Sequence, residues 1–269
     1  MQTKKKTRKP VEIVKKPFVA GDVTDQHTLG NSIKFCLALL GVAVGFLFLG
    51  TTLAFDFGIL NIILNGGLML GAWGLFASSG SSKAVVQVTQ GEVLQARLND
   101  GRKIDEGDRK GSFHRYKGLV NALLGTLPFF IMALILAFTA ERQMTSTGTL
   151  PGWIGYYEDR PEIGAALAHY HQGDTMTLTA FCRIVVRMVL MPIVALVGTT
   201  NFDGLLILER ISPILCLIPA LMYGFGYSRG PEMRARVHTT IAANKRKRAR
   251  KEKRLQRERR MRNEPEQLN

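Results

Sequence analysis

Three stretches of more than 20 residues, 35–55, 57–78 and 118–140, contain no charged side chain. A helix rises 1.5 Å per residue, so about 20 apolar residues cross the roughly 30 Å of bilayer hydrocarbon with every backbone group bonded inside the segment. A buried helix of a soluble protein would carry a polar back; these stretches have no charged face. The first also exceeds the roughly 7 to 15 apolar residues of a secretory signal peptide, which favours an uncleaved anchor. The expected fold class is all-α: a polytopic helical membrane protein with about four transmembrane helices plus one incomplete or re-entrant arm.

The arm belongs to residues 181–228, a region broken by Arg183, Arg187, the turn-like 201–204, Glu209, Arg210 and the prolines Pro192, Pro213 and Pro219. Residues 205–227 are expected to cross, with 181–199 as an incomplete arm on the outer side. The reverse arrangement is nearly as good.

Charge sets the orientation. Lys and Arg number 36 against 21 Asp and Glu, a net +15, and 30 of the 36 lie in three segments: residues 4–16, 83–117 and 229–262. Cytoplasmic loops carry the excess of Lys and Arg. Residues 141–180 instead hold Glu141, Glu158, Asp159, Glu162 and Asp174 against Arg142 and Arg160. Both termini are therefore expected on the cytoplasmic side of a bacterial cytoplasmic membrane, with an even number of crossings. The organisation reads as a basic N-terminal segment (1–33), a transmembrane hairpin (34–78), a basic loop (79–117), a third span (118–140), an acidic outer loop (141–180), a region with one net crossing (181–228) and a basic tail (229–269). The three cysteines, Cys36, Cys182 and Cys216, lie in or beside apolar runs, which excludes a disulfide-stapled module.

Gly41-x-x-x-Gly45 and Gly67-x-x-x-Gly71 have the spacing that lets helix backbones approach closely in lipid. Folded about Asp56, the two glycine pairs would meet in register, predicting a tight antiparallel hairpin. Asn61 and Asn65 fall on another face and should look toward the third span, near Asn121 and Gly125. In the basic loop, residues 84–88 could form a short strand and Asn99-Asp100-Gly101 signals a turn. A small hairpin against the membrane is expected there, preceded by a flexible exit at 79–83.

Chemistry is harder to find. No G-x-S-x-G, H-E-x-x-H or C-x-x-C motif occurs, and residues 79–83 lack the phosphate-loop spacing. No metal or cofactor is expected: His169-Tyr170-His171 offers only two ligands, more economically read as a solvated loop. The candidate intramembrane polar site is Asn61, Asn65, Arg183, Arg187, Glu209 and Arg210, because ionisable groups at membrane depth often mark ion or substrate paths. Arg183 and Arg187 are expected to snorkel to the outer headgroups, leaving Glu209 the hardest to dismiss.

From 237 to 262 the chain consists mainly of helix formers with no Pro, no Gly and no apolar stripe. Its self-repulsion argues for partial disorder until neutralised. Lys245, Arg246, Lys247, Arg248, Arg250, Lys251, Lys253 and Arg254 are the candidate contacts for anionic lipid headgroups, with nucleic acid or the ribosome ranking lower because no aromatics interleave for stacking. The function expected is non-enzymatic: a small integral protein that helps assemble or scaffold a membrane complex, with a membrane-protein partner or a second copy. The runner-up is a small transporter or channel subunit using the broken helix near Asp203 and Glu209, followed by a ribosome-docking insertion factor.

Overall fold

The computed structural model describes residues 15–52, 58–140, 160–163, 177–198 and 201–263. Asp56, the hairpin centre expected above, His169 to His171, most of the acidic loop and the basic residues before Lys15 lie outside the described residues. The described residues are 83% helical, with no strand among them. Its helices are α1 (Thr28–Thr52), α2 (Gly58–Asn99), α3 (Glu106–Gly111), α4 (Lys117–Thr139), α5 (Leu178–Val189), α6 (Met191–Val197), α7 (Phe202–Ser228) and α8 (Gly230–Asn263). Four of them, α1, α2, α4 and α7, are long and apolar enough to cross a membrane, and α5 with α6 makes a pair bent by 91°.

α7 is the hub, packing along α4 and α2, while α1 packs along α4 and sets Phe35 against Tyr223 of α7 and Phe76 of α2. α2 and α7 run in the same direction toward the end of the bundle where the basic loop and α8 sit, here the basic end; α1 and α4 run the opposite way. Asn201 caps α7 by accepting from the Gly204 amide at 3.0 Å, which accounts for the turn-like 201–204. Pro213 has no N–H for the Glu209 carbonyl four residues back, and the Ser212 hydroxyl donates to that carbonyl instead at 2.7 Å. Pro192 likewise cannot continue α5, and the chain turns at Leu190 into α6, which ends at Gly198 with φ +92°.

The 79–117 region differs from the expected strand and flexible exit. α2 continues unbroken for 42 residues, about 63 Å at helical rise and twice the hydrocarbon thickness. From residue 79 onward its buried positions are Gly80, Ala84, Gln87, Val88, Gly91 and Leu94, a helical spacing that the short run of valines at 85, 86 and 88 concealed. The turn expected at 99–101 is present: the Gly101 and Arg102 amides bond the Leu98 and Arg97 carbonyls, and Gly101 takes φ +74°, a Schellman ending. The extension does not need a core of its own. Val88 joins Phe113 and Tyr227 in a small cluster with Phe18, reached because Val19 and Gly21 bond the backbone at Gly91 and Phe113.

The tight α1–α2 hairpin is the main correction. At Gly41, Gly45, Gly67 and Gly71 an added Cβ would meet nothing within 4 Å. The bent arm is the reason: α6 packs against both α1 and α2, with Met191 against Gly50 and the Ala195 carbonyl taking a hydrogen bond from Asn61. Close backbone approaches occur elsewhere. Gly80 abuts the Tyr223 carbonyl, Gly226 the Ala77 carbonyl, Gly230 the Ala84 side chain, Gly118 the Tyr227 ring and Gly125 the Ser32 carbonyl. Gly226 and Gly230 have the four-residue spacing sought in the first hairpin, and they use it to seat α7 and α8 on α2.

Candidate functional site

The polar residues of 181–228 converge. Arg183 and Arg187 are one turn apart on α5 and face Glu209, about two turns into α7 from its capped start. Glu209 is 2% exposed. Its Oε1 accepts from Arg183 Nε at 2.8 Å and from an Arg187 terminal nitrogen at 2.6 Å, and its Oε2 accepts from Arg183 at 3.1 Å. The fork from Arg183 is bidentate, the strongest arrangement for this pair. Two guanidiniums against one carboxylate leave an excess positive charge, and the buried Arg187 Nε has no hydrogen-bond partner among the described residues. The arginines therefore do not snorkel: they turn inward and tie the arm to α7, their donors satisfying both oxygens of the buried carboxylate. Arg210, next along the chain, points outward and is exposed.

Asn61 faces the arm rather than α4, and Asn65 bonds to Asn61. Asn61 Nδ2 donates at 3.0 Å to the Ala195 carbonyl, which near the end of α6 has no helical partner, and Asn65 donates to the Asn61 carbonyl at 3.2 Å. The sequence-derived polar set thus divides into two clasps on one arm: the arginines hold α5 to α7, and Asn61 holds α6 to α2.

A second polar layer at the basic end was not foreseen. Lys117, fully buried at the first position of α4, gives its three donors to Asp25 at 2.7 Å, the Lys110 carbonyl at 2.7 Å and the Ser112 carbonyl at 3.3 Å. Burial alone would raise the Asp25 carboxyl, but the Lys117 ammonium, with the Thr28 hydroxyl and the His27 amide, outweighs it and holds the group below its ordinary value. Further out, Glu92 takes Arg234 at 2.9 Å and His238 at 2.7 Å, and Tyr227 donates to the Gln87 side chain. The side-chain pairs Asp25–Lys117, Glu92–Arg234, Glu92–His238 and Gln87–Tyr227 join residues distant in sequence, so none shows in local patterning. Only the Gly226–Gly230 spacing could have hinted that α8 begins against α2.

These contacts give α8 a direction. Gly230 lies at Ala84 and Arg234 with His238 at Glu92, so α8 starts side by side with the α2 extension and runs the same way. Ala235 is buried at this root, whereas residues 245–254 are exposed all round. No cluster of three or more potential metal-ligating side chains occurs among the described residues. Compared with protein-family models, with curated proteins and with solved structures, the chain matches none significantly.

Proposed function

We propose that the protein is a non-enzymatic integral membrane protein of the cell membrane, with four crossings, a re-entrant arm formed by α5 and α6, and both termini cytoplasmic. It helps assemble a membrane complex and presents α8 as a basic docking rod. The observation that carries this reading is the clamped root of α8, where Glu92, Arg234, His238, Gly230 and Ala84 fix a rod bearing Lys245, Arg246, Lys247, Arg248, Arg250, Lys251, Lys253 and Arg254. A tail serving only as a topology signal needs no such clamp.

The register of α8 also bears on its partner. Residues 245 to 254 stand about 22 to 36 Å along the helix from Gly230, itself beyond the apolar part of α2. Headgroup charge is screened within about 8 Å at physiological salt. That favours an acidic protein surface of the complex over lipid for these eight residues, with an RNA phosphate backbone as the competing occupant. Transport is the second reading, favoured by ionised residues on a bent arm. It is weakened because both Glu209 oxygens are already taken.

The test is purification of the full chain from native membranes in mild detergent, beside a variant with all eight basic residues changed to Gln. The assembly role requires a stoichiometric protein partner that survives ribonuclease and is lost with the variant. If the unaltered protein and the variant purify as the same lone species, the reading fails, and loss of the partner on ribonuclease treatment would move it to RNA.

A further inference from the structure

Beside α7, α1 and α2 leave a groove of about 280 Å³ near the basic end, floored by Tyr223 of α7. Its composition is graded along the helices. Phe35, Ala38, Val42, Leu75 and Phe76 line the part toward the middle of the bundle, while Asn31, Lys34, Ser79 and Lys83 stand at the basic end. Val42 and Phe76 also border a narrower space that continues toward Leu190 at the bend of the arm. Lys34 is exposed, and Lys83 Nζ donates to the Asn31 side chain at 2.5 Å. Among the described residues neither lysine makes an ion pair; Asp25, the nearby carboxylate, is held by Lys117. Two cations over an apolar channel, at the depth where α1 and α2 leave the hydrocarbon, match an amphiphile with an anionic head.

We propose that this groove is a binding site for an anionic phospholipid of the cytoplasmic leaflet, its phosphate between Lys34 and Lys83 and an acyl chain lying along Phe35, Ala38, Val42 and Phe76. Basic pockets between helices on the cytoplasmic side suit such headgroups. The lipid fills the gap between α1 and α2 and gives Lys34 and Lys83 a counter-charge. The inference rests on the membrane reading above but not on the docking role of α8.

Thermal stability of the purified full chain, titrated with phosphatidylglycerol or phosphatidylcholine in detergent, tests it. Phosphatidylglycerol should raise the midpoint at concentrations about 10- to 30-fold lower than phosphatidylcholine. Lys34→Gln with Lys83→Gln should abolish that preference while leaving the lipid-free midpoint in place, and Ala38→Trp should block stabilisation by both lipids. The variant with eight glutamines in α8 should keep the preference, which separates this site from the rod. Equal response to the two lipids, or a preference lost with the α8 variant and kept without the two lysines, overturns the proposal. So does an Ala38→Trp chain that changes oligomeric state while responding to lipid normally, since the groove would then belong to a second copy.

Discussion

Lys117 shows how a charge that looks like a topology signal becomes a structural one. It stands just before an apolar run, where a cytoplasmic lysine is expected to face water, yet it is fully buried against Asp25. Removing one partner of a buried pair leaves an uncompensated charge, which costs about 3 to 5 kcal/mol. Asp25→Asn should therefore destabilise the protein by roughly 3 kcal/mol at neutral pH, and Asp25→Asn with Lys117→Met should recover most of it, as read by unfolding in detergent. The pH dependence has a definite sign. Because the folded Asp25 value is depressed below its ordinary 3.8, the contribution is present in full well above that pH and is lost as pH falls through the folded value. Asp25→Asn should flatten that part of the acid limb. The same logic applies to Glu209. Glu209→Gln strands two arginines and should cost about 3 kcal/mol or more, whereas Arg183→Met, Arg187→Met and Glu209→Leu together should approach normal stability. A folded triple variant that lost its protein partner would mark the cluster as functional rather than structural.

The helices explain where close packing is needed. At Gly226 an added methyl would meet the Ala77 carbonyl, and at Gly80 the Tyr223 carbonyl, both backbone atoms that cannot step aside. Gly226→Ala or Gly80→Ala should cost about 1 to 3 kcal/mol by overpacking. Gly41→Ala and Gly71→Ala meet open space and should be neutral or stabilising by up to about 1 kcal/mol, through helix propensity. Equal effects at the four positions in a detergent melting series would contradict the α2–α7 seam. The arm is the other element under strain of composition, since the last carbonyls of α6 need donors from outside. Asn61→Leu removes one and should loosen α6 without melting the bundle, read as faster hydrogen exchange confined to 191–197.

At the scale of the whole chain, the four long helices and the bent pair imply an even number of crossings if α5 and α6 enter and leave by one face. With the native cysteines changed to Ser, a cysteine at Asn201 should label from outside intact cells and one at Arg236 only after permeabilisation. Labelling of both from the same side would rule out the complete crossing assigned to α7. The bundle also brings its two ends to different uses: clasps on the arm at one end, and at the other a shared cluster where residues 18–21, the α2 extension, Phe113 and Tyr227 meet.

Much of this was legible without coordinates. Hydrocarbon thickness and helical rise translate charge-free runs directly into α1, α2 and α4, and Asn201, Gly101 and the prolines act through local backbone chemistry, so their turns and breaks could be read in place. The partners of polar and small residues could not be read. Gly41 and Gly71 matched by spacing and by depth, but a third element, α6, entered between their helices, and no local pattern records such an intrusion. Residues 84–88 looked like a strand because the surface that makes them helical, Tyr227 and Gly230, arrives from more than 130 positions away. Local composition fixes which segments avoid water; only the assembled bundle decides which neighbour each charge and each glycine meets, because that choice depends on shape complementarity between segments far apart in the chain.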